Sequence, residues 1–191
     1  MISAQLQLPF AQAEATQEKQ ESKSQEKSSN TNASAKARKI LVKELLYPQQ
    51  DFEIVRLATD FVNDVDLNES IDVDTTIMSC IRIRNDINRE NVNCFIAYDG
   101  DEAIGFLVGV TSQAFHRKGV VAEQKLCYVS PNKRGSTAAM RLVRAFVGWA
   151  KLNGATQIFT GTANNRYAEK TSKLFEQLGF RRVGYTHVME I

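Results

Sequence analysis

The chain has 191 residues, 43% of them hydrophobic and 24% charged, with a formal net charge of +2. One domain of ordinary size plus a tail fits that length, and the near-neutral balance argues against a strongly basic nucleic-acid binder or an acidic solvating chain. The longest apolar run, residues 103–110, is eight residues, far short of the roughly 20 that a membrane-spanning helix requires. Met1-Ile2-Ser3-Ala4-Gln5 shows neither a charged n-region nor an apolar h-region, so no secretory leader is expected. Cys80, Cys94 and Cys127 lack any CxxC or Cys/His ligand spacing. They read as reduced thiols of a cytosol-like compartment rather than metal ligands or disulfide partners.

Residues 11–38 contain no Val, Ile, Leu, Met, Phe, Tyr or Trp. Such a segment buries too little apolar area to offset about 1–2 kcal/mol of backbone entropy per residue. Residues 1–38 are therefore expected to be a low-complexity tail, disordered or ordered by a partner through Leu6, Leu8 and Phe10. From Lys39 to Ile191 the pattern is globular.

Residues 40–46 predict a first strand, and Pro48 opens a helix with Phe52, Val55, Ala58, Phe61 and Val62 on one face. A second helix from Asp74 carries Ile77, Cys80, Ile81 and Arg84 on one side. Strands at 92–98 and 103–111 flank Asp99-Gly100-Asp101-Glu102, a hairpin signal. A strand at 120–129, a helix over about 137–153 closed by Gly154, and a strand at 155–162 follow. A helix over about 166–178 ends at Gly179, and strands at 180–184 and 185–190 close the chain. This order, β-α-α-β-β-β-α-β-α-β-β, predicts a mixed α/β sheet of about seven strands with four helices on its faces.

The chemistry is concentrated in Leu126-Cys127-Tyr128-Val129-Ser130-Pro131-Asn132-Lys133-Arg134-Gly135-Ser136-Thr137-Ala138-Ala139. A strand runs into a short loop from which a helix starts, and N–H groups of the first helical turn have no intrahelical acceptor. With the helix dipole they suit a phosphate or diphosphate, and Gly135, Ser136, Ala138 and Ala139 let an anion approach the backbone. An ordinary Ser/Thr cap with a small-residue turn reads equally well. No Gly-Lys-Ser/Thr triplet makes a P-loop here, and one glycine is not a dinucleotide fingerprint.

Those residues, in this order of elements, resemble the GNAT-type N-acetyltransferases. Val129-Ser130-Pro131 followed by Arg134-Gly135-Ser136-Thr137-Ala138-Ala139 is similar to the family's Val-x-Pro strand end and Arg/Gln-x-x-Gly-x-Gly/Ala loop. Leu174-Phe175-Glu176-Gln177-Leu178-Gly179-Phe180 is similar to its Leu-Tyr-Glu-x-Leu-Gly-Phe signature. The stretch from Val129 to Gly184 also resembles acetyltransferase-like proteins of tailed bacteriophages.

The resemblance implies an acetyl-CoA-dependent transfer of acetyl to a primary amine. Backbone groups of Cys127, Tyr128 and Val129 would pair with the pantetheine arm, and an N–H there would hold the thioester carbonyl. Residues 134–139 (Arg134, Gly135, Ser136, Thr137, Ala138, Ala139) would take the diphosphate, with Arg134 adding a charge-assisted bond. Glu123 would take the proton of the amine; its other reading is a solvent-facing strand carboxylate. Two departures stand out: Thr137 replaces a loop glycine, and Phe175 replaces the Tyr that protonates the leaving thiolate. Tyr128 or Tyr167 would have to substitute for that acid. The alternative is a structural, virion-associated phage protein that keeps the fold without turnover and is anchored through residues 1–38. These readings imply the host cytosol or the virion.

Residues 63–74 hold five acids and no base, an acidic lip that would favour a cationic acceptor or else a loop of helix caps. The same stretch partly mimics a calcium loop, but Glu69 stands at the obligatory glycine and Thr75 at the bidentate glutamate. His116, His187 and the pair Arg181-Arg182 read as surface or strand residues, and no metal site is expected.

Overall fold

The computed structural model describes residues 39–65, 70–86, 90–116, 118–162 and 167–184. The expected tail at 1–38, the expected strand at 185–190 and His187 lie outside that set, as do Asp66, Asn68 and Glu69. In chain order the elements are β1 (Leu41–Glu44), α1 (Gln49–Val65), α2 (Val73–Asn85), β2 (Val92–Asp99), β3 (Glu102–Gln113), β4 (Val120–Val129), a 3-10 turn (Pro131–Lys133), α3 (Ala138–Leu152), β5 (Ala155–Phe159) and α4 (Ala168–Gln177). One sheet runs β1-β2-β3-β4-β5, antiparallel except for the parallel β4–β5 pair.

Five strands, not seven, lie among the described residues. The expected strand at 180–184 is absent because Phe180 folds back on the end of α4. Its N–H donates to the Phe175 carbonyl at 3.0 Å, and the two rings lie 5.7 Å apart. Gly179, at φ 89°, makes that reversal. The β2–β3 hairpin turns on Gly100 and Asp101, with Gly100 at φ 65° and Asp99 paired with Glu102.

Helix α1 is rotated from the expected face. Phe52 is 72% exposed, while Gln50, Asp51, Ile54, Leu57, Ala58 and Val62 are buried. Polar partners hold the first turn inward. Gln50 Oε1 accepts from the Leu46 and Tyr47 N–H groups at 2.7 and 2.8 Å, its Nε2 donates to the Glu44 carbonyl at 3.2 Å, and Asp51 pairs with Arg84 on α2. Helix α2 begins one residue earlier than expected, capped by Asp72, whose carboxylate accepts from the Thr75 N–H at 2.9 Å.

The sheet is covered on both faces. On one side α3 lays Leu142, Val143, Phe146, Trp149 and Ala150 against Phe95, Ile104, Leu107 and Ala122, with Phe175 of α4 joining them. On the other, Ile54, Leu57 and Ala58 of α1 and Cys80 and Ile83 of α2 meet Cys94, Ile96, Phe106 and Tyr128. Burying each large apolar side chain contributes about 1.5–3 kcal/mol. Helix α3 fits closely because β3 carries no side chain at Gly109: a Cβ there would fall 2.5 Å from the Phe146 ring.

Candidate cofactor and acceptor site

The site is built around β4. Its parallel pairing with β5 covers Val120, Val121, Ala122 and Glu123, and ends at the Glu123–Phe159 pair. Strand β4 continues to Val129 beside β3 alone among the described strands. The far edge of its second half is thus open, bridged near the split by Gln124 Nε2 donating to the Gly161 carbonyl at 3.3 Å.

Which backbone groups face that edge follows from one hydrogen bond. The Ser130 N–H donates to the Ile104 carbonyl at 2.9 Å, so the backbone groups of Ser130 face β3. By alternation the groups of Tyr128 also face β3, while those of Cys127 and Val129 face the open edge. Of the three residues the resemblance assigns to a pantetheine arm, two present their backbone to it. Tyr128 sends its ring to the α1/α2 face instead, where it is 4% exposed.

A bulge at Lys125 sets the other face relationship. Val108 pairs with Leu126 and Gly109 with Gln124, leaving Lys125 without a partner opposite. Glu123, paired with Val110, lies on the α1/α2 face with Leu126 and Tyr128. Its carboxylate accepts from Lys125 Nζ at 2.6 Å, and both side chains are about half exposed. Glu123 and Tyr128 are separated by roughly 13 Å of strand, at about 3.3 Å per residue with one residue taken up by the bulge. They touch different neighbours.

Beyond Val129 the 3-10 turn leads into Arg134, Gly135, Ser136 and Thr137. Gly135 sits at φ 84° with nothing within 4 Å of where a Cβ would be. The first backbone bond of α3 is from the Arg141 N–H to the Thr137 carbonyl at 3.0 Å, and the Ala138 N–H takes Ser136 Oγ at 3.3 Å. The N–H groups of Thr137, Ala139 and Met140 have no backbone acceptor among the described residues. Gly135, Ser136 and Thr137 are exposed, whereas the Ala138 methyl is fully buried in the α3 core and Ala139 is half-buried. Thr137 Oγ1 accepts from Arg141 Nε at 3.2 Å, so its side chain is turned along the helix.

Arg134 points away from that N-terminus. Its Nε donates to the Val129 carbonyl at 3.1 Å, and its terminal nitrogens reach the Asp64 carboxylate on α1. The guanidinium lies 4.5 Å from the Tyr167 ring centroid and 5.8 Å from that of Tyr128. Tyr167, at the start of α4, thus serves as a platform for Arg134. Phe175 packs in the α3 core.

Between α1 and the end of β4 lies a cleft of about 430 Å³, walled by Arg56, Asp60, Asn63, Asp64, Tyr128 and Asn132 among others. The spacing 56–60–64 places one helical stripe along it. The Tyr128 hydroxyl is buried on this cleft and makes no hydrogen bond among the described residues. Burial raises its pKa, the Asp60 and Asp64 charges add to the rise, and Arg134 and Ser130 oppose it. Burial likewise pushes the Cys127 thiol up to about 12.

The acids of the expected lip and of the helix leading into it have local partners at three positions. Asp64 pairs with Arg134, Asp60 with Arg56 at 3.3 Å, and Asp72 caps α2. Glu102, also on the cleft, lies 3.3 Å from Lys133 Nζ. Sequence reasoning passed over Arg56 and Asp60, while Asn63 opens the stretch it singled out; the i, i+4 spacing along α1 was the available signal.

Residues 90–182 match the family model described as acetyltransferase (GNAT) domain. Among solved structures, the chain is similar to the aminoglycoside N-acetyltransferase AAC(6')-Iy in complex with CoA, with 15% identity over 80% of this chain and 95% of that one, at a TM-score of 0.65. A ribosomal-protein-alanine N-acetyltransferase from Brucella melitensis biovar Abortus is 14% identical over 80% and 99%, at 0.60. A transcriptional regulator from Bacillus halodurans is 19% identical over 80% and 100%, at 0.65. No curated protein sequence matches the chain. The family match likens residues 90–182 to acetyltransferase (GNAT) domains, and the solved structures show that the chain shares their fold. No helix among the described residues is long and apolar enough to cross a membrane.

Proposed function

We propose that the protein is an acetyl-CoA-dependent N-acetyltransferase acting on a primary amine. The observation that carries this reading is the open edge of β4 running directly into an uncapped helix N-terminus through Gly135. An extended amide-bearing arm can pair with the Cys127 and Val129 backbone as an added strand, while the free N–H groups of Thr137, Ala139 and Met140 suit a diphosphate. Gly135 and Ser136 leave room for the anion, Thr137 narrows it, and Ala138 and Ala139 set the helix start behind it.

Acetyl-CoA supplies the activated acyl group as cosubstrate. The chain's own work is then proton handling. An amine of pKa about 10.4 must lose a proton before it attacks, and the Glu123 carboxylate, paired with Lys125 on the α1/α2 face, takes it directly or through one water. The amine nitrogen bonds to the acyl carbon, the carbon–sulfur bond breaks, and the thiolate takes a proton. Tyr128, kept protonated by burial and without a partner, is the donor on that face, in the place of the family tyrosine that is Phe175 here. A steady-state assay of thiol release from acetyl-CoA, screened across small amines, aminosugars and lysine peptides, tests this reading. Acceptor-dependent release supports it, and its absence across the whole screen contradicts it.

Arg134 on the Val129 carbonyl and the lack of a hydroxyl at Phe175 favour a second reading. In it the chain is a structural protein, virion-associated in a tailed phage and anchored through residues 1–38, that keeps the fold without turnover. It predicts a virion partner for the tail and no effect of Glu123→Gln. The first reading places the protein in the cytosol and the second in the virion.

A further inference from the structure

We propose that Asp64 is a positioning residue that couples the α1 cleft to the open edge of β4, by holding Arg134 across the Val129 carbonyl. The inference rests on the coenzyme reading above. The Val129 carbonyl is one of the few backbone acceptors that β3 leaves to the open edge, and Arg134 Nε already occupies it at 3.1 Å. An arm pairing with β4 through its own amide N–H meets that guanidinium first.

What keeps Arg134 there is not the carbonyl alone. Its terminal nitrogens bond the Asp64 carboxylate, and the two side chains are 28% and 12% exposed. A charge pair so little hydrated resists the removal of either partner. The flat face of the guanidinium is further held by the rings of Tyr167 and Tyr128. Asp64 itself lies on the wall of the cleft beside Asp60 and the buried, unpartnered Tyr128 hydroxyl.

The two ends of one ion pair thus face two different ligands. A cationic amine in the cleft competes for Asp64, and an anion at the start of α3 competes for Arg134. Whichever binds first weakens the hold on the Val129 carbonyl, so each ligand raises the affinity of the other by the same factor. Order of binding is not imposed by this arrangement. A mere structural staple between α1 and the loop would have no such consequence.

The test is calorimetric titration of the full chain and its Asp64→Asn and Arg134→Met variants with CoA and with pantetheine, which lacks the phosphates. CoA is also titrated with and without saturating spermidine. Asp64→Asn is expected to bind both ligands about fivefold more tightly, within the usual span of such couplings. Arg134→Met is expected to tighten pantetheine while gaining nothing for CoA, because the phosphate partner is lost. Spermidine is expected to tighten CoA on the parent chain and leave Asp64→Asn unchanged. Unchanged or weaker pantetheine binding in the folded variants overturns the proposal while leaving the coenzyme reading intact. Should Asp64→Asn fail to fold, pantetheine affinity in Arg134→Met decides. CoA binding to none of the three chains overturns the coenzyme reading itself, and this inference with it.

Discussion

Glu123 and Tyr128 stand five positions apart on β4 and nevertheless lie on the same face of the sheet, because Lys125 is bulged between them. In a regular strand an odd separation sends two side chains to opposite faces. The bulge cancels one step, and so places a carboxylate and a phenol on the side that α1 and α2 cover.

Substitution and deletion at Lys125 should therefore both leave the faces of β4 as they are. Lys125→Ala loses only an exposed ion pair with Glu123, a change expected to cost less than about 1 kcal/mol. Deleting Lys125 lets the Val108–Leu126 and Gly109–Gln124 pairs follow one another in a regular ladder, so Ala122 stays in the α3 core and Glu123 on the α1/α2 face, and the chain should still unfold cooperatively. Urea unfolding of the two variants makes the comparison, and a deletion variant that no longer unfolds cooperatively would contradict the placement of the bulge at Lys125.

Glu123→Gln removes the base and keeps the shape. Turnover should fall by about 10²–10⁴-fold with the dissociation constant for acetyl-CoA unchanged, read by steady-state kinetics beside calorimetry. Equal turnover in the variant would return Glu123 to a surface strand carboxylate.

Gly109→Ala forces a methyl into the Phe146 ring. Overpacking of this kind costs typically about 1–3 kcal/mol, which at this chain length corresponds to a Tm lowered by at least about 2 °C. Phe146→Ala, which empties the other side of the same contact, should cost about 3–5 kcal/mol. Thermal unfolding followed by circular dichroism measures both.

Alkaline pH should destabilise the fold through its thiols, Cys80 and Cys94 together with Cys127 of β4. Burial raises Cys80 from an ordinary value of 9.0 to about 11, and raises Cys94, fully enclosed, further. Above pH 9 the unfolded chain gives up these protons while the folded chain keeps them, so stability is complete below pH 9 and falls as pH climbs toward the folded values. Each thiol contributes a slope of about 1.4 kcal/mol per pH unit in that window. Urea titrations at pH 8 and pH 10 should show the loss in the parent and a smaller loss in Cys94→Ala. A parent chain equally stable at both pH values would contradict it.

Local signals were readable in the sequence where local chemistry decides. The Asp-Gly hairpin, the passage from Val129 through Gly135 into α3, and the end of α4 at Gly179 all turn on residues whose backbone preference is their own. Partners distant along the chain decided the rest. Gln50 and Asp51 occupy inner positions of α1 because Tyr98 and Arg84 lie 48 and 33 residues away, and this rotation exposed Phe52. Arg134 reads as a phosphate ligand by its position in the loop, but its carboxylate partner is 70 residues upstream. The Lys125 bulge exists only in register with β3, and a lysine in a strand otherwise looks like any solvent-facing residue.

The most direct test of the whole account is calorimetric titration of the full chain with acetyl-CoA, beside a Gly135→Glu variant. That substitution puts a carboxylate at a position of φ 84° where the loop offers open space for an anion. Micromolar binding by the parent chain that is lost in the variant is the predicted result. No measurable binding at millimolar acetyl-CoA, or equal binding by both chains, would contradict it.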